Sequence, residues 1–341
     1  MASGNFDDAS RLFNFVVQDG NGIRGLVDLG LTEVPKPYIQ PPQEQIDESS
    51  HHLQHQPPID LSLLDGPDRD RVAQQVVSAA ETLGFFQVVN HGLPSELLES
   101  LKESAHAFFG QPPEKKAVYR KDDYISMKYT NDTDALQYWP NECRKVALEY
   151  VKTSTNMVRK LMEILIGHLG AKLDDSMIDA LIGSKMVNMN FYPSCPNPKL
   201  TVGVGRHSDM GTLTVLLQDG IGGLYVKVEE DVDFATKGEW VEIPPLPGAL
   251  VINVGDTLQI LSNGKYKSAE HRVRTTSASS RVSIPVFTMP KLSVKVAPLP
   301  EMIEKDGMAR YREVVFADYM KTFFGNAHEG KKSLDFAGIK V

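Results

Sequence analysis

The stretch Gly205–Gln218, "GRHSDMGTLTVLLQ", sets His207 and Asp209 two residues apart at the head of an apolar run. In a strand, residues i and i+2 point to the same face, so these two side chains converge on one point. Taken alone the pair is equally well a polar strand end. Its meaning depends on what the rest of the chain sets beside it.

Outward from that stretch, the chain beyond about residue 185 reads as short strands in quick succession. "KMVNMNFYP", "LTVLLQ", "GLYVKVE", "EWVEIPP", "ALVINVG", "TLQILSNGKYKSAEHRV" and "RVSIPVFTMP" are separated by Gly, Pro and Asn turns. This spacing predicts an all-β sandwich or barrel. Asn263-Gly264 reads as a hairpin turn, and His271 follows in a strand-like run. Two histidines and a carboxylate on one side of a metal leave its other positions open for substrate and oxygen. Non-haem Fe(II) oxygenases use that set, and zinc hydrolases can use it too.

The next strand separates the two readings. Arg281 and Ser283 share a face in "RVSIPVF". An unpaired arginine on the inner face of a barrel costs on the order of several kcal/mol, whereas a guanidinium fork with a hydroxyl suits a carboxylate. An anion receptor therefore lies near a redox-type donor set. In "VNMNFYP", Asn188, Asn190 and Tyr192 share one face while Val187, Met189 and Phe191 share the other. The polar face can look into the same cavity.

The N-terminal half is more helical. "PPIDLSLL" reads as a short strand, and a helix follows from about Asp68 with Val72, Val76, Ala79 and Leu83 at helical spacing and Gly84 as its stop. "FFQVVNHG" reads as a buried strand and turn. A second helix opens at Ser95, taken as its N-cap, and a long one covers about Val146 to Gly170. The tail "ARYREVVFADYMKTFFGNA" returns to a helical period with Tyr311, Val315, Tyr319 and Phe323 on one face. The first fifty-odd residues read as an irregular arm and a Pro- and Gln-rich linker, in which His51, His52 and His55 are solvated loop residues. His91, His106 and His168 are read as structural.

Composition narrows the classes. The 341 residues are 41% hydrophobic and 23% charged, enough for an ordinary globular core. The net charge of −8 argues against a nucleic-acid groove, which needs a basic face. No apolar run is long enough to span a bilayer, and the N-terminus lacks a basic signal-peptide start, so no membrane partner and a cytoplasmic location are expected. Two cysteines, Cys143 and Cys195, indicate no disulfide framework.

H-S-D at 207–209, His271, and R-V-S at 281–283 together resemble the plant Fe(II)- and 2-oxoglutarate-dependent dioxygenases that modify small specialised metabolites. The phrases "NFYPSCPNP", "LLQDGIGGLYV", "ALVINVGD", "LSNGKYKSAEHRV" and "GFFQVVNHG" extend the resemblance from roughly Pro58 to the C-terminal helix. "NFVVQDGNGIRGL" and "YWPNECR" are similar to the coumarin-pathway members of that group.

The resemblance implies a mainly β fold, a double-stranded β-helix (jelly roll) wrapped by helices. It divides the chain into an arm and linker at 1–57, a helical and strand region at 58–180, the jelly-roll core at 181–295 and a helical end at 296–341. His207, Asp209 and His271 are expected to hold Fe(II). Arg281 and Ser283 are expected to take the far carboxylate of 2-oxoglutarate, with Tyr192 and Asn190 adding hydrogen bonds. Phe287 and Asn188 are substrate candidates; Phe287 reads equally as core packing.

The implied reaction is hydroxylation of an aromatic coumarin, scopoletin at C8, by O2, with succinate and CO2 as co-products and ascorbate added in vitro. Feruloyl-CoA or another phenylpropanoid is the alternative substrate, and a catalytically silent metabolite-binding jelly roll the alternative class. A monomer is expected. The chain departs from the group at Lys121, which runs straight into "DDYISMKYTNDTDAL" where members carry about two dozen further residues that wall the substrate pocket. Either the chain lacks this wall naturally, or the sequence as written leaves it out.

Overall fold

A computed structural model describes residues 6–42, 44–45, 51–52, 57–116, 118–121, 123–172, 174–326 and 330–339. Two sheets carry the site. The larger runs, in spatial order, β2 (Ile59–Asp60), β3 (Phe85–Val89), β11 (Leu250–Val254), β8 (Leu213–Gln218), β13 (Arg281–Met289), β6 (Ser184–Tyr192), β5 (Tyr124–Tyr129) and β4 (Arg120–Lys121). The smaller runs β1 (His51–His52), β10 (Trp240–Glu242), β9 (Leu224–Lys227), β12 (His271–Val273) and β7 (Val204–His207). All pairings are antiparallel except β1 with β10 and β2 with β3. Residues of both sheets line one cavity between them, which is the expected jelly-roll core.

The central strands are apolar on both faces because both are covered. All six residues of β8 are buried. Its outward Val215 and Leu217 join a core with Val282, Ile284 and Val286 and with Leu161, Met162 and Leu165 of the helix Arg144–His168. Tyr150 of that helix donates to the carbonyls of Val215 and Ile284 (3.4 and 3.3 Å). The helix Arg69–Thr82 buries Val72, Val76, Val77 and Ala80, then stops at Gly84. That glycine has φ +72°, and a Cβ there would lie 1.8 Å from the Lys267 carbonyl oxygen, so only glycine fits.

Several elements differ from the sequence expectation. The stretch around Asn263-Gly264 is no hairpin. Asp256–Leu261 is a helix, entirely buried, and Asn263 (φ 53°) and Gly264 (φ 87°) turn the chain after it. A segment buried all round shows no period to distinguish helix from strand. Ser95 is the first helical residue rather than a side-chain cap, since Pro94 holds the cap position. In the tail, Val314–Val315 pairs with Lys295–Val296 as a strand, and the helix begins only at Phe316.

The arm is more ordered than its composition suggests. Helical segments at Ala9–Phe13, Asn14–Gln18 and Gly22–Asp28 bury Leu12, Val16 and Leu26 together. Arg24 Nη1 donates to the Phe109 carbonyl at 2.6 Å, and the amide of Gln40 to that of Leu200 at 2.8 Å. His51 and His52 form a strand against Val241 and Glu242 rather than a free loop; His55 lies outside the described residues. Cys143 and Cys195 are both free thiols.

Candidate metal centre and anion pocket

The register of the two sheets determines what meets in the cavity. His271 of β12 pairs directly with His207 of β7, so their rings lie side by side with centroids 4.2 Å apart. Asp209, two residues past His207, leaves the strand end toward them. Its Oδ1 is 3.8 Å from Nε2 of each histidine. The three donor atoms lie within 4.8 Å of one another, as one metal ion requires.

Each donor is oriented by a second contact. His207 Nδ1 lies 2.9 Å from the Gly205 carbonyl and His271 Nδ1 3.2 Å from that of Ala269. A ring N–H donated to a carbonyl leaves Nε2 with its lone pair, the tautomer a metal needs. Phe85 meets the His271 ring edge-on at 5.1 Å. Asp209 Oδ2 accepts from Thr214 Oγ1 and Asn253 Nδ2, both at 2.6 Å, which turns Oδ1 toward the histidines. Burial, then the neighbouring His271, push the His207 pKa down to about 4, so the imidazole is neutral at neutral pH.

Thr214 and Asn253 were not singled out from the sequence. Each is a polar residue inside an apolar strand, "LTVLLQ" and "ALVINVG", which is the signal that finds them. They are cross-strand partners in the β8–β11 register, so one face of two strands delivers both hydrogen bonds.

The anion receptor sits farther along the same inner face. Arg281 pairs with Tyr192, and Ser283 with Asn190 and Gln218. Arg281 is 1% exposed. Its Nε donates to the Ile221 carbonyl (3.1 Å) and Nη2 to Gln218 Oε1 (2.9 Å), while Nη1 is buried with no partner. Burial lowers the guanidinium pKa. Ser283 Oγ lies 3.4 Å from Asn190 Nδ2 and 3.5 Å from the Tyr192 hydroxyl. A buried cation whose Nη1 amino group has no partner among the described residues, beside three polar side chains, fits a carboxylate guest.

The cavity between these groups measures about 150 Å³ and is lined by all nine expected site residues, His207, Asp209, His271, Arg281, Ser283, Tyr192, Asn190, Asn188 and Phe287. Phe85, Leu216, Leu224, Val251, Val273 and Pro285 supply apolar wall. Among the described residues, Arg281 is the only charged one in the lining besides the three metal-type donors, and no further general base or nucleophile stands beside them, which weighs against zinc-assisted hydrolysis. Neutral nitrogen and carboxylate donors on one side of a seat, with an anion receptor across the cavity, fit iron(II) and a dicarboxylate.

On its far side the inner face continues from β6 onto the edge pair β5 and β4. Tyr124 lies opposite Asn190, Ser126 opposite Asn188 and Lys128 opposite Met186. All three outer residues are exposed. Beyond them β4 closes back at once, pairing Arg120 with Ile125 and Lys121 with Tyr124. Among the described residues no further layer covers Tyr124, Ser126 and Lys128 on this flank.

Comparison with known proteins agrees with this geometry. Residues 183–290 match the 2OG-Fe(II) oxygenase superfamily model, and residues 57–143 the model described as non-haem dioxygenase in morphine synthesis N-terminal. The chain is 57% identical to scopoletin 8-hydroxylase of Arabidopsis thaliana over 358 residues, covering 98% of both chains. It is 43% identical to feruloyl CoA ortho-hydroxylase 1 of the same plant over 364 residues, again 98% of both. Each aligned span exceeds the 341 residues of this chain, so both relatives carry residues with no counterpart here. Among solved structures, the chain is similar to JOX2 in complex with 2OG, Fe and JA (TM-score 0.78, 28% identity, 94% of this chain and 98% of that one). It is also similar to the rice dioxygenase for auxin oxidation (TM-score 0.72, 27% identity, 83% and 100%).

Proposed function

The chain belongs to the 2OG-Fe(II) oxygenase superfamily, and on that premise we propose that it hydroxylates a phenolic coumarin, scopoletin at C8, giving fraxetin. The enzyme is a 2-oxoglutarate-dependent dioxygenase, an oxidoreductase using iron(II), 2-oxoglutarate and O2. The substrate assignment rests on one observation, the 57% identity to scopoletin 8-hydroxylase along nearly the whole of both chains. The 43% identity to feruloyl CoA ortho-hydroxylase 1 makes a hydroxycinnamoyl-CoA the second reading.

The residues have separate tasks. His207 Nε2, Asp209 Oδ1 and His271 Nε2 hold the iron. Arg281 Nη1 and Ser283 Oγ bind the far carboxylate of 2-oxoglutarate, and the Tyr192 hydroxyl and Asn190 Nδ2 add hydrogen bonds to it. When bound, iron and 2-oxoglutarate supply the oxidising chemistry, consuming O2 and releasing succinate and CO2. The protein contributes position and dryness. Phe287, laterally paired with Thr214, presents its ring at the level of the Asp209 support and stacks on the aromatic substrate. The apolar wall would exclude water from the bound substrate, and which ring carbon these residues hold toward the metal seat would decide the position hydroxylated.

The protein acts as a cytoplasmic monomer without nucleic-acid or membrane partners; among the described residues no helix is long and apolar enough to cross a membrane. The test is conversion of scopoletin to fraxetin by protein loaded with Fe(II) anaerobically, then given 2-oxoglutarate, ascorbate and air, read by mass spectrometry. Turnover of feruloyl-CoA alone would transfer the assignment to the second reading. Succinate release with no substrate in a coumarin and hydroxycinnamoyl-CoA panel would defeat both.

A further inference from the structure

Among the described residues, the cavity has three buried polar side-chain atoms without a partner, Arg281 Nη1, Asn253 Oδ1 and Asn188 Oδ1. The first faces the carboxylate receptor. The second belongs to an amide whose other end is committed to Asp209. Asn188 differs from both, because its side chain makes no hydrogen bond to any described residue. Its lateral neighbour on β5 is Ser126, and its neighbours along the inner face of β6 are Met186 and Asn190. It therefore lies beside the line from Arg281 to the metal seat, on the flank that opens toward the edge strand.

A buried, unsatisfied amide oxygen lowers stability unless something donates to it. Iron cannot donate a hydrogen bond. 2-Oxoglutarate, with both carboxylates ionised, is an acceptor only, and O2 has no hydrogen. Water can donate to it in the free enzyme; of the reactants that displace that water, only the organic substrate can carry the donor. A neutral planar amide presents an acceptor and a donor side by side. That edge complements an aromatic hydroxyl next to an ether oxygen, as in a methoxyphenol. Scopoletin has this edge, with its hydroxyl on C7, next to C8.

We propose that Asn188 is a specificity-determining residue, whose Oδ1 accepts a hydrogen bond from a neutral phenolic hydroxyl on the ring carbon adjacent to the one oxidised. The proposal rests on the coumarin reading above and narrows it to substrates whose hydroxyl neighbours the attacked carbon. A site built to bond a hydroxyl rejects the analogue that lacks it, because the buried group is then left unpaired.

The test compares scopoletin with its 7-O-methyl ether in the full-length iron-loaded enzyme. Wild type is expected to favour the phenol by about 100-fold or more in kcat/KM. In Asn188→Leu that ratio falls by roughly 10- to 100-fold, the worth of the lost bond. Asn188→Asp keeps an acceptor and retains a preference for the phenol. The Tm of Asn188→Leu stays level or rises, since an apolar side chain of similar size replaces an orphaned amide; this separates a lost contact from a damaged fold. An undiminished ratio in Asn188→Leu, or no phenol preference in wild type, overturns the proposal; either result means that water or nothing occupies Oδ1. If coumarins are not turned over at all, the coumarin reading fails. The affinities of scopoletin and its 7-O-methyl ether are then compared without turnover, using the change in the visible absorption of the iron–2-oxoglutarate complex on binding. Equal responses there overturn the phenol anchor on its own account.

Discussion

The two ends of the cavity are built on opposite principles. At the metal end every donor is held: two ring nitrogens on backbone carbonyls, and one carboxylate oxygen on Thr214 and Asn253. At the flank toward the edge strand, Asn188 Oδ1 has no partner among the described residues, and Tyr124, Ser126 and Lys128 are exposed. Polar groups that must stay in place are satisfied within the protein, and their geometry survives without a ligand. On the proposal above, the unsatisfied group is completed by its guest. Chemistry and selectivity would then be carried by different residues, and substitutions should separate them.

The largest effects belong to the metal end. His207→Ala, Asp209→Ala or His271→Ala should abolish turnover of every substrate, with loss of bound iron measured by metal analysis; an active variant would remove that residue from the ligand set. Next comes the anion receptor. Arg281→Lys should raise the 2-oxoglutarate KM by roughly 10- to 100-fold, because a point charge replaces a fork whose other two arms already anchor it. An unchanged KM would break the carboxylate assignment. Thr214→Val or Asn253→Leu should weaken iron binding about 10- to 100-fold in anaerobic titration. The phenol preference of those variants should not move; if it did, the two ends would be one coupled unit. The smallest effect is expected at Phe287, where Phe287→Leu should raise the coumarin KM by about 3- to 10-fold with the 2-oxoglutarate KM unaltered. A change in stability alone would instead mark Phe287 as core.

The donor set was legible because strands impose a period of two. His207 with Asp209 and Arg281 with Ser283 are i, i+2 pairs, and nothing beyond that period is needed to put each pair on one face. Asn188, Asn190 and Tyr192 follow the same rule and do line the cavity. Where burial is uniform, that signal vanishes. Asp256–Leu261 is buried at all six positions and forms a helix where a strand was expected. The arm escaped notice for a different reason. Its helical segments are five to seven residues long, too short to show a period, and they are stabilised by docking onto the barrel.

The amino-acid sequence by itself determined which side chains could share a face, and hence the iron donors and the Arg281–Ser283 pair proposed as carboxylate receptor. Local chain geometry suffices for that. Only the tertiary structure decided which strands become neighbours. The pairing of β7 with β12 brings His271 opposite His207, and the pairing of β8 with β11 places Thr214 and Asn253 behind Asp209. Those contacts join residues far apart in the chain, and register across a sheet follows from burial of the whole face. The same assembly buries the amide oxygen of half-buried Asn188 with no partner among the described residues, and whether such a group is satisfied depends on every element packed around it.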